Sequence, residues 1–262
     1  MDKRDFGGVQ VPVYGQGTWK FHGGPESLRA GLDLGLTHVD TAELYSGAEE
    51  IIAKAIDGRR DEVFLVSKVM PQHASRKGTL TACDTSLSKL KTDRLDCYLL
   101  HWPGSHPLED TIAAFEELQK AGKIRAYGVS NFAEELLQEV VAIAGKGRIA
   151  CNQVLYNLNE RHVEAKLYSL CRKLGVALVG YSPFDGVSDK GALAEVAREV
   201  RATPRQVALA FLTRLEGTFA IPKAEQVEHV RENAKRVQLT AAQLGRLEKA
   251  FPLRERSELP VA

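Results

Sequence analysis

Cysteine is scarce in this 262-residue chain, and Cys83, Cys97, Cys151 and Cys171 stand far apart with no C-x-x-C pair. That spacing argues against a disulfide framework or a thiolate metal site and predicts reduced core thiols in a cytoplasmic protein. Net charge is equally slight. The 35 Lys and Arg residues against 34 Asp and Glu leave only +1, with the two signs interspersed. Neither nucleic acid nor an anionic membrane surface is therefore expected as a partner. No apolar run is long enough to span a bilayer, and Met1-Asp2-Lys3-Arg4-Asp5 is not followed by the apolar segment of a secretory signal. Gly15 and Gly17 lack the third glycine of the dinucleotide fingerprint, which excludes a Rossmann phosphate loop.

What is present is an ordinary globular balance, 44% hydrophobic and 26% charged, enough to bury a large core. Eight β-like runs follow one another at residues 13–19, 37–41, 63–69, 96–101, 126–131, 151–156, 177–182 and 218–222. Helical patterns separate them. Val163, Leu167, Leu170, Cys171 and Leu174 share one helical face that Gly175 terminates, and Leu136, Leu137, Val140 and Val141 repeat the pattern after the fifth run. Strict strand–helix alternation implies a parallel sheet with right-handed crossovers, and eight repeats predict an α/β fold: a single (β/α)₈ barrel over residues 1–262. Residues 8–12 predict a short hairpin strand plugging the barrel bottom, and residues 240–250 an extra C-terminal helix.

Ionisable residues recur where these runs end. Asp40 closes the second run, Lys68 lies near the end of the third, His101 ends the fourth, and Tyr45 follows Asp40 by five residues. Polar groups are costly inside a sheet, so their recurrence at strand ends predicts one shared site at the C-terminal mouth of the barrel. An acid, a phenol, an ammonium and an imidazole together can hand a proton to a substrate oxygen. Ser130, Asn131, Gln153, Tyr181, Ser182 and Lys223 fall at the later strand ends. Their amides, hydroxyls, aromatic face and cation suit a flat, amide-bearing ring attached to phosphates, as in a nicotinamide dinucleotide. Each residue also has a plainer reading. Tyr45 alone is more often a packed loop aromatic, and His101 alone a structural histidine. Asn131 with Glu134 fits a capping box, and Ser182-Pro183 fits an N-cap followed by proline at N1. Trp19 and Trp102 fit either an apolar substrate wall or core packing. Arg59-Arg60 and Lys235-Arg236 read as solvated faces.

Seven motifs then stand in order: Asp40-Thr41-Ala42-Glu43-Leu44-Tyr45, Val66-Ser67-Lys68, Leu99-Leu100-His101-Trp102-Pro103, Gly128-Val129-Ser130-Asn131-Phe132, Asn152-Gln153, Tyr181-Ser182-Pro183 and Ile221-Pro222-Lys223. With this set in register across the predicted barrel, the chain resembles the aldo-keto reductases from near its first strand to its last helix. The resemblance implies that a hydride passes from reduced nicotinamide to a carbonyl carbon while Tyr45 protonates the oxygen. A phenol ordinarily titrates near pH 10, and Lys68 is expected to favour the phenolate and ease proton donation. Asp40 is expected to pair with Lys68. His101 either orients the carbonyl oxygen or shares the proton with Tyr45. The resemblance further assigns Thr18, Asp40, Ser130, Asn131, Gln153, Tyr181, Ser182, Pro183, Ile221, Lys223, Ala224, His229, Glu232 and Asn233 to the cofactor. It assigns Trp19, Tyr45, His101 and Trp102 to the substrate.

The chain departs from the family pattern after its last strand. Many members place a serine and an arginine on the 2′-phosphate of NADPH where this chain has Ala224 and His229, while Lys223, Glu232 and Asn233 match. With Lys223 as the matching cation, NADPH is expected as the preferred cofactor and NADH as a weaker one. Residues 184–190 form a short connection, and the chain ends soon after Phe251-Pro252. Both predict an open pocket with broad specificity for small aldehydes. The expectation is a cytoplasmic, monomeric carbonyl reductase that needs no metal. Two other classes share part of the pattern: a Schiff-base lyase or aldolase using Lys68, and a non-catalytic nucleotide-sensing subunit on the same fold. Asp40 and Tyr45 would keep Lys68 charged, against the first, and all four catalytic positions are filled, against the second.

Overall fold

The computed structural model describes residues 2–254 and 259. The predicted span of 1–262 thus includes positions 1, 255–258 and 260–262, which lie outside the described residues. The chain opens with a hairpin in which β1 (Lys3–Phe6) pairs antiparallel with β2 (Val9–Pro12). Gly7 and Gly8 between them have φ of 59° and 89°, the left-handed pair that a tight two-residue turn needs. Arg4 donates to the carbonyls of Leu215 at 2.7 Å and Thr213 at 2.8 Å. Phe6 is buried against Phe64 and Phe219, with ring centroids 5.0 and 5.3 Å away. The hairpin therefore seals one end of the barrel.

The barrel strands are β3 (Gln16–Gly17), β4 (His38–Asp40), β5 (Phe64–Val69), β6 (Leu95–Leu100), β7 (Ile124–Ser130), β8 (Ile149–Leu155), β9 (Ala177–Tyr181) and β10 (Thr218–Ala220). Each is parallel to its neighbour in chain order, and each falls within or over one of the eight predicted runs. A parallel bridge from Tyr14 to Ala220 joins the first strand to the last. Gly15 N donates to Ala220 O at 2.8 Å and Gly17 N to Pro222 O at 3.1 Å across the same seam. A Cβ on Gly17 would stand 2.5 Å from Ile221 O, so the seam closes there only around glycine.

Helices α1 (Pro25–Asp33), α2 (Ala48–Ala55), α3 (Arg76–Leu90), α4 (Leu108–Lys120), α5 (Glu134–Ala144), α6 (Leu167–Leu174), α7 (Gly191–Glu199), α8 (Pro204–Leu212), α9 (Val227–Ala234) and α10 (Ala241–Ala250) follow the strands and close the chain. Helix α6 stops at Gly175 with φ 73°, as its pattern predicts, but starts later than that pattern suggests. Val163 lies instead in a separate one-turn segment, His162–Glu164, and is buried all the same. The predicted C-terminal helix is α10, started by the Thr240–Gln243 capping box.

Strand parity sorts the apolar residues into two layers. Phe64, Val66, Cys97, Leu99, Cys151, Val179 and Phe219 form a cluster within the ring. Leu65, Tyr98, Leu100, Val154 and Leu178 pack outward beneath the helices. Each such side chain, once fully buried, contributes about 1.5–3 kcal/mol of hydrophobic stabilisation. The same parity carries the inward rows past their apolar members to polar ends: Val66 to Lys68, His38 to Asp40, Leu99 to His101, and Cys151 to Gln153.

Candidate active site

Those inward row ends converge. Lys68 Nζ lies 2.6 Å from Asp40 Oδ1 and donates to Thr41 O at 2.8 Å, with 0% and 2% of the two ionic side chains exposed. Asp40 Oδ2 accepts from Gln153 Nε2 at 2.7 Å, so both carboxylate oxygens are satisfied in the buried pair. Thr18 Oγ1 donates to Asp40 O at 2.9 Å and ties the end of β3 to that of β4. Tyr45, in the loop after β4, places its hydroxyl 3.5 Å from Lys68 Nζ and 3.5 Å from His101 Nε2. The predicted tetrad is therefore assembled around one phenol.

Electrostatics refine the sequence expectation in two places. Burial raises the Tyr45 phenol above 10, and Lys68 offsets that rise without reversing it. The expected lowering by Lys68 operates, but desolvation of the half-buried ring wins. Tyr45 thus holds its proton at neutral pH, the state a donor needs. Burial opposes the charge on Lys68, yet Asp40 and Tyr45 outweigh it and hold the ammonium above its usual range. Burial, assisted by Lys68, pushes His101 down to about 3. His101 is accordingly a neutral imidazole at ordinary pH, suited to orienting an oxygen rather than carrying a second proton.

A cavity of about 420 Å³ opens above this group. Its walls include Thr18, Asp40, Tyr45, His101, Ser130, Asn131, Gln153, Tyr181, Ser182, Pro183, Ile221 and Lys223, together with Trp19 and Trp102. The tryptophans are wall, not core: Trp19 is 41% exposed with its ring 4.9 Å from Tyr45, and Trp102 is half-buried 4.6 Å from His101. Lys68 stands just behind the wall. Ala224, His229, Glu232 and Asn233 do not line this cavity. Ala224 and buried Asn233 border a small neighbouring space, and the Glu232 carboxylate accepts the Thr203 hydroxyl at the start of α8.

Both capping readings give way. Asn131 has φ 62°, and α5 is capped by Ala133 two residues later. Asn131 Nδ2 instead donates to His101 O at 3.0 Å and Ser130 Oγ at 3.1 Å, while its Oδ1 accepts from Tyr181 OH at 2.9 Å. Ser182 has φ 50° and starts no helix, α7 beginning only at Gly191. Two non-glycine residues held left-handed at the cavity wall are local strain retained at a site. Of the arginine and lysine pairs read as solvated, Arg60 is half-buried on Asp96 at 2.8 Å and Arg236 pairs with Asp2.

The structure also adds wall residues that the sequence reading missed: Lys20, Leu44, Phe184, Asp185 and Arg205. Lys20 and Phe184 directly follow Trp19 and Pro183, so extending each strand-end motif by one residue finds them. Arg205, in the first turn of α8, carries no such signal.

A profile of the aldo/keto reductase family matches residues 15–251. Methylglyoxal reductase YeaE of Escherichia coli is 42% identical over 94% of this chain and 93% of its own. Glyoxal reductase of Bacillus subtilis is 35% identical over 87% and 83%. A crystal structure of an aldo/keto reductase from Klebsiella pneumoniae in complex with NADP and acetate superposes with a TM-score of 0.93 at 38% identity, covering 100% of this chain and 99% of that one. With a matching profile across nearly its whole length, and the barrel and tetrad in place, the chain belongs to the aldo/keto reductase family.

Proposed function

We propose that the protein reduces small reactive aldehydes and dicarbonyls to alcohols with NADPH, Tyr45 being the proton donor. The observation that carries this reading is the Tyr45 hydroxyl, 3.5 Å from both Lys68 Nζ and His101 Nε2 on the wall of an open cavity. The donor set fits the cofactor: the Asn131 and Gln153 carboxamides and Ser130 hydroxyl match a carboxamide ring, Tyr181 offers an aromatic surface, and Lys20 and Lys223 offer positive charge. The Klebsiella relatives are in complex with NADP and with NADPH. When bound, the reduced nicotinamide supplies a hydride to the carbonyl carbon.

The protein's own residues manage the oxygen. Tyr45 O–H donates the proton as negative charge develops there, and the nearby ammonium of Lys68 stabilises the phenolate left behind. Asp40 keeps Lys68 charged and fixed. His101 presents a neutral Nε2 beside Tyr45 and aims the carbonyl oxygen. Trp19, Leu44 and Trp102 form an open apolar wall that suits small carbonyl compounds, the substrate class named for the Escherichia coli and Bacillus relatives. A lyase reading fails on Lys68, because an imine-forming amine must be neutral and reachable, and this one is charged with 0% exposure.

The same reading makes the protein a cytoplasmic monomer: its four cysteines are free and buried, as in a reducing compartment. No helix among the described residues is long and apolar enough to cross a membrane. Purified protein is expected to oxidise NADPH with methylglyoxal and to elute at the mass of one chain. NADPH should exceed NADH in kcat/KM by about 10- to 100-fold, the worth of a charge-assisted contact from Lys223. Absence of carbonyl-dependent NADPH oxidation across a panel of small aldehydes, keto-sugars and steroids overturns the reading.

A further inference from the structure

The 2′-phosphate partners that the family pattern places after β10 are depleted here, yet a guanidinium lines the cavity from another element. Arg205 is the second residue of α8, whose start is clamped by the Thr203–Gln206 capping box and by Gln206 Nε2 donating to Glu232 O at 3.0 Å on α9. The position is therefore rigid. Its guanidinium lies over the Phe184 ring, 5.1 Å from the centroid, and both side chains line the cavity. Stacking uses one face of the guanidinium and leaves the edge donors available. Among the described residues Arg205 makes no hydrogen bond or ion pair, with Asp185 or any other carboxylate. Lys223, by contrast, is shared with Glu225 at 3.2 Å and the Lys20 carbonyl at 2.9 Å. By strand order, Phe184 follows β9, which stands across the ring from β5 and its Lys68.

We infer that Arg205 is a phosphate-binding residue of the dinucleotide site, a planar fork presented from α8 on the Phe184 platform. The inference rests on the dinucleotide reading above. A phosphate is the fitting ligand because it accepts two parallel N–H donors, on a wall where the cations Lys20, Arg205 and Lys223 face only Asp185 and the Lys68-paired Asp40. Arg205 acts alongside Lys223 on the same cavity wall.

Equilibrium titration of tryptophan fluorescence with NADPH and with NADH tests it without turnover. Wild type should bind NADPH, and failure to bind either dinucleotide sinks the dinucleotide reading itself along with this inference. Arg205→Ala should weaken NADPH binding about 10-fold or more. Arg205→Met keeps the aliphatic stem over Phe184 and should match Ala, which separates lost charge from lost packing. Arg205→Lys should recover only part of the affinity, since it restores charge but not the fork. Loss for NADPH alone assigns the contact to the 2′-phosphate, and equal loss for both dinucleotides assigns it to the diphosphate. If wild type binds and the Ala and Met variants retain its Kd for both within about twofold, the inference is overturned.

Discussion

His38 and His101 both end up inside the ring with their imidazoles held neutral, at about 4 and about 3 respectively. What covers them differs. His38 lies at the sealed end with no exposure, edge-on to Phe6 at 5.8 Å and Phe64 at 5.6 Å. His101 lies at the open end, 7% exposed, with a ring nitrogen 3.5 Å from the Tyr45 hydroxyl and a cavity beside it. Desolvation is the leading cause of both shifts. A displaced pKa therefore marks burial at either end of this barrel, whereas a partner hydroxyl and an open cavity mark the end that does chemistry.

The comparison breaks most sharply at Lys68. Lys68→Met leaves Asp40 as a buried carboxylate with only Gln153 to satisfy it, and removes the charge that stabilises the phenolate. Carbonyl reduction should fall about 10³-fold or more, with a stability loss of about 3–5 kcal/mol seen in urea melts. Borohydride added to wild-type protein with an aldehyde should label no single lysine. Stoichiometric trapping on Lys68 would show a neutral, accessible amine and undo the electrostatic argument.

Tyr45→Phe comes next, because it deletes one hydroxyl and keeps the ring beside Trp19. Turnover should drop on the order of 10²-fold or more while NADPH affinity stays close to wild type. Near-normal kcat would move the proton donor elsewhere on the wall.

How much of this was legible in sequence depended on which force set each feature. The barrel strands were readable because alternating apolar rows end in Asp40, Lys68 and His101, so the pattern that builds the core also delivers the tetrad. The hairpin strand Lys3–Phe6 was not, because its stabilising contacts, Arg4 on distant carbonyls, look like surface charge in a linear reading. Asn131 and Ser182 were ambiguous for a specific reason: short polar side chains that favour N-caps are also those that recur in turns, where left-handed backbone is found, and only tertiary closure chose the second. The direction of the Tyr45 shift needed burial and charge weighed together. Arg205 was invisible because its meaning lies in a contact with Phe184, 21 positions earlier in the chain.

A smaller effect is expected at His101. Since its imidazole stays neutral until about pH 3, kcat/KM should show no inflection near pH 6.5 that belongs to this residue. His101→Gln keeps an N–H donor, and should lower kcat about 10-fold without reshaping the profile. An inflection near 6.5 in wild type that disappears in His101→Gln would show instead that the imidazolium shares the proton.

At the sealed end the prediction concerns stability alone. His38 titrates at about 4 in the fold and near 6.5 when unfolded, so below pH ~6.5 the unfolded chain takes up the proton first. The stability associated with a neutral His38 is fully present above ~6.5 and drains away as pH falls toward 4, at a limiting slope of about 1.4 kcal/mol per pH unit. His101, at about 3 in the fold, adds a parallel loss across that whole window and below it, so wild type should approach twice the slope of a variant lacking one histidine. Glu164, held down to about 2 chiefly by Arg161 and Arg214 against burial, joins only below its usual carboxylate range. His38→Leu keeps an apolar side chain among the rings of Phe6 and Phe64 and cannot protonate. Its urea midpoint should fall less steeply than that of wild type between about pH 6.5 and 5, while aldehyde turnover at neutral pH stays near wild type. Parallel slopes in the two proteins would mean that His38 is protonated in the fold after all, and that the aromatic plug does not keep water from its imidazole.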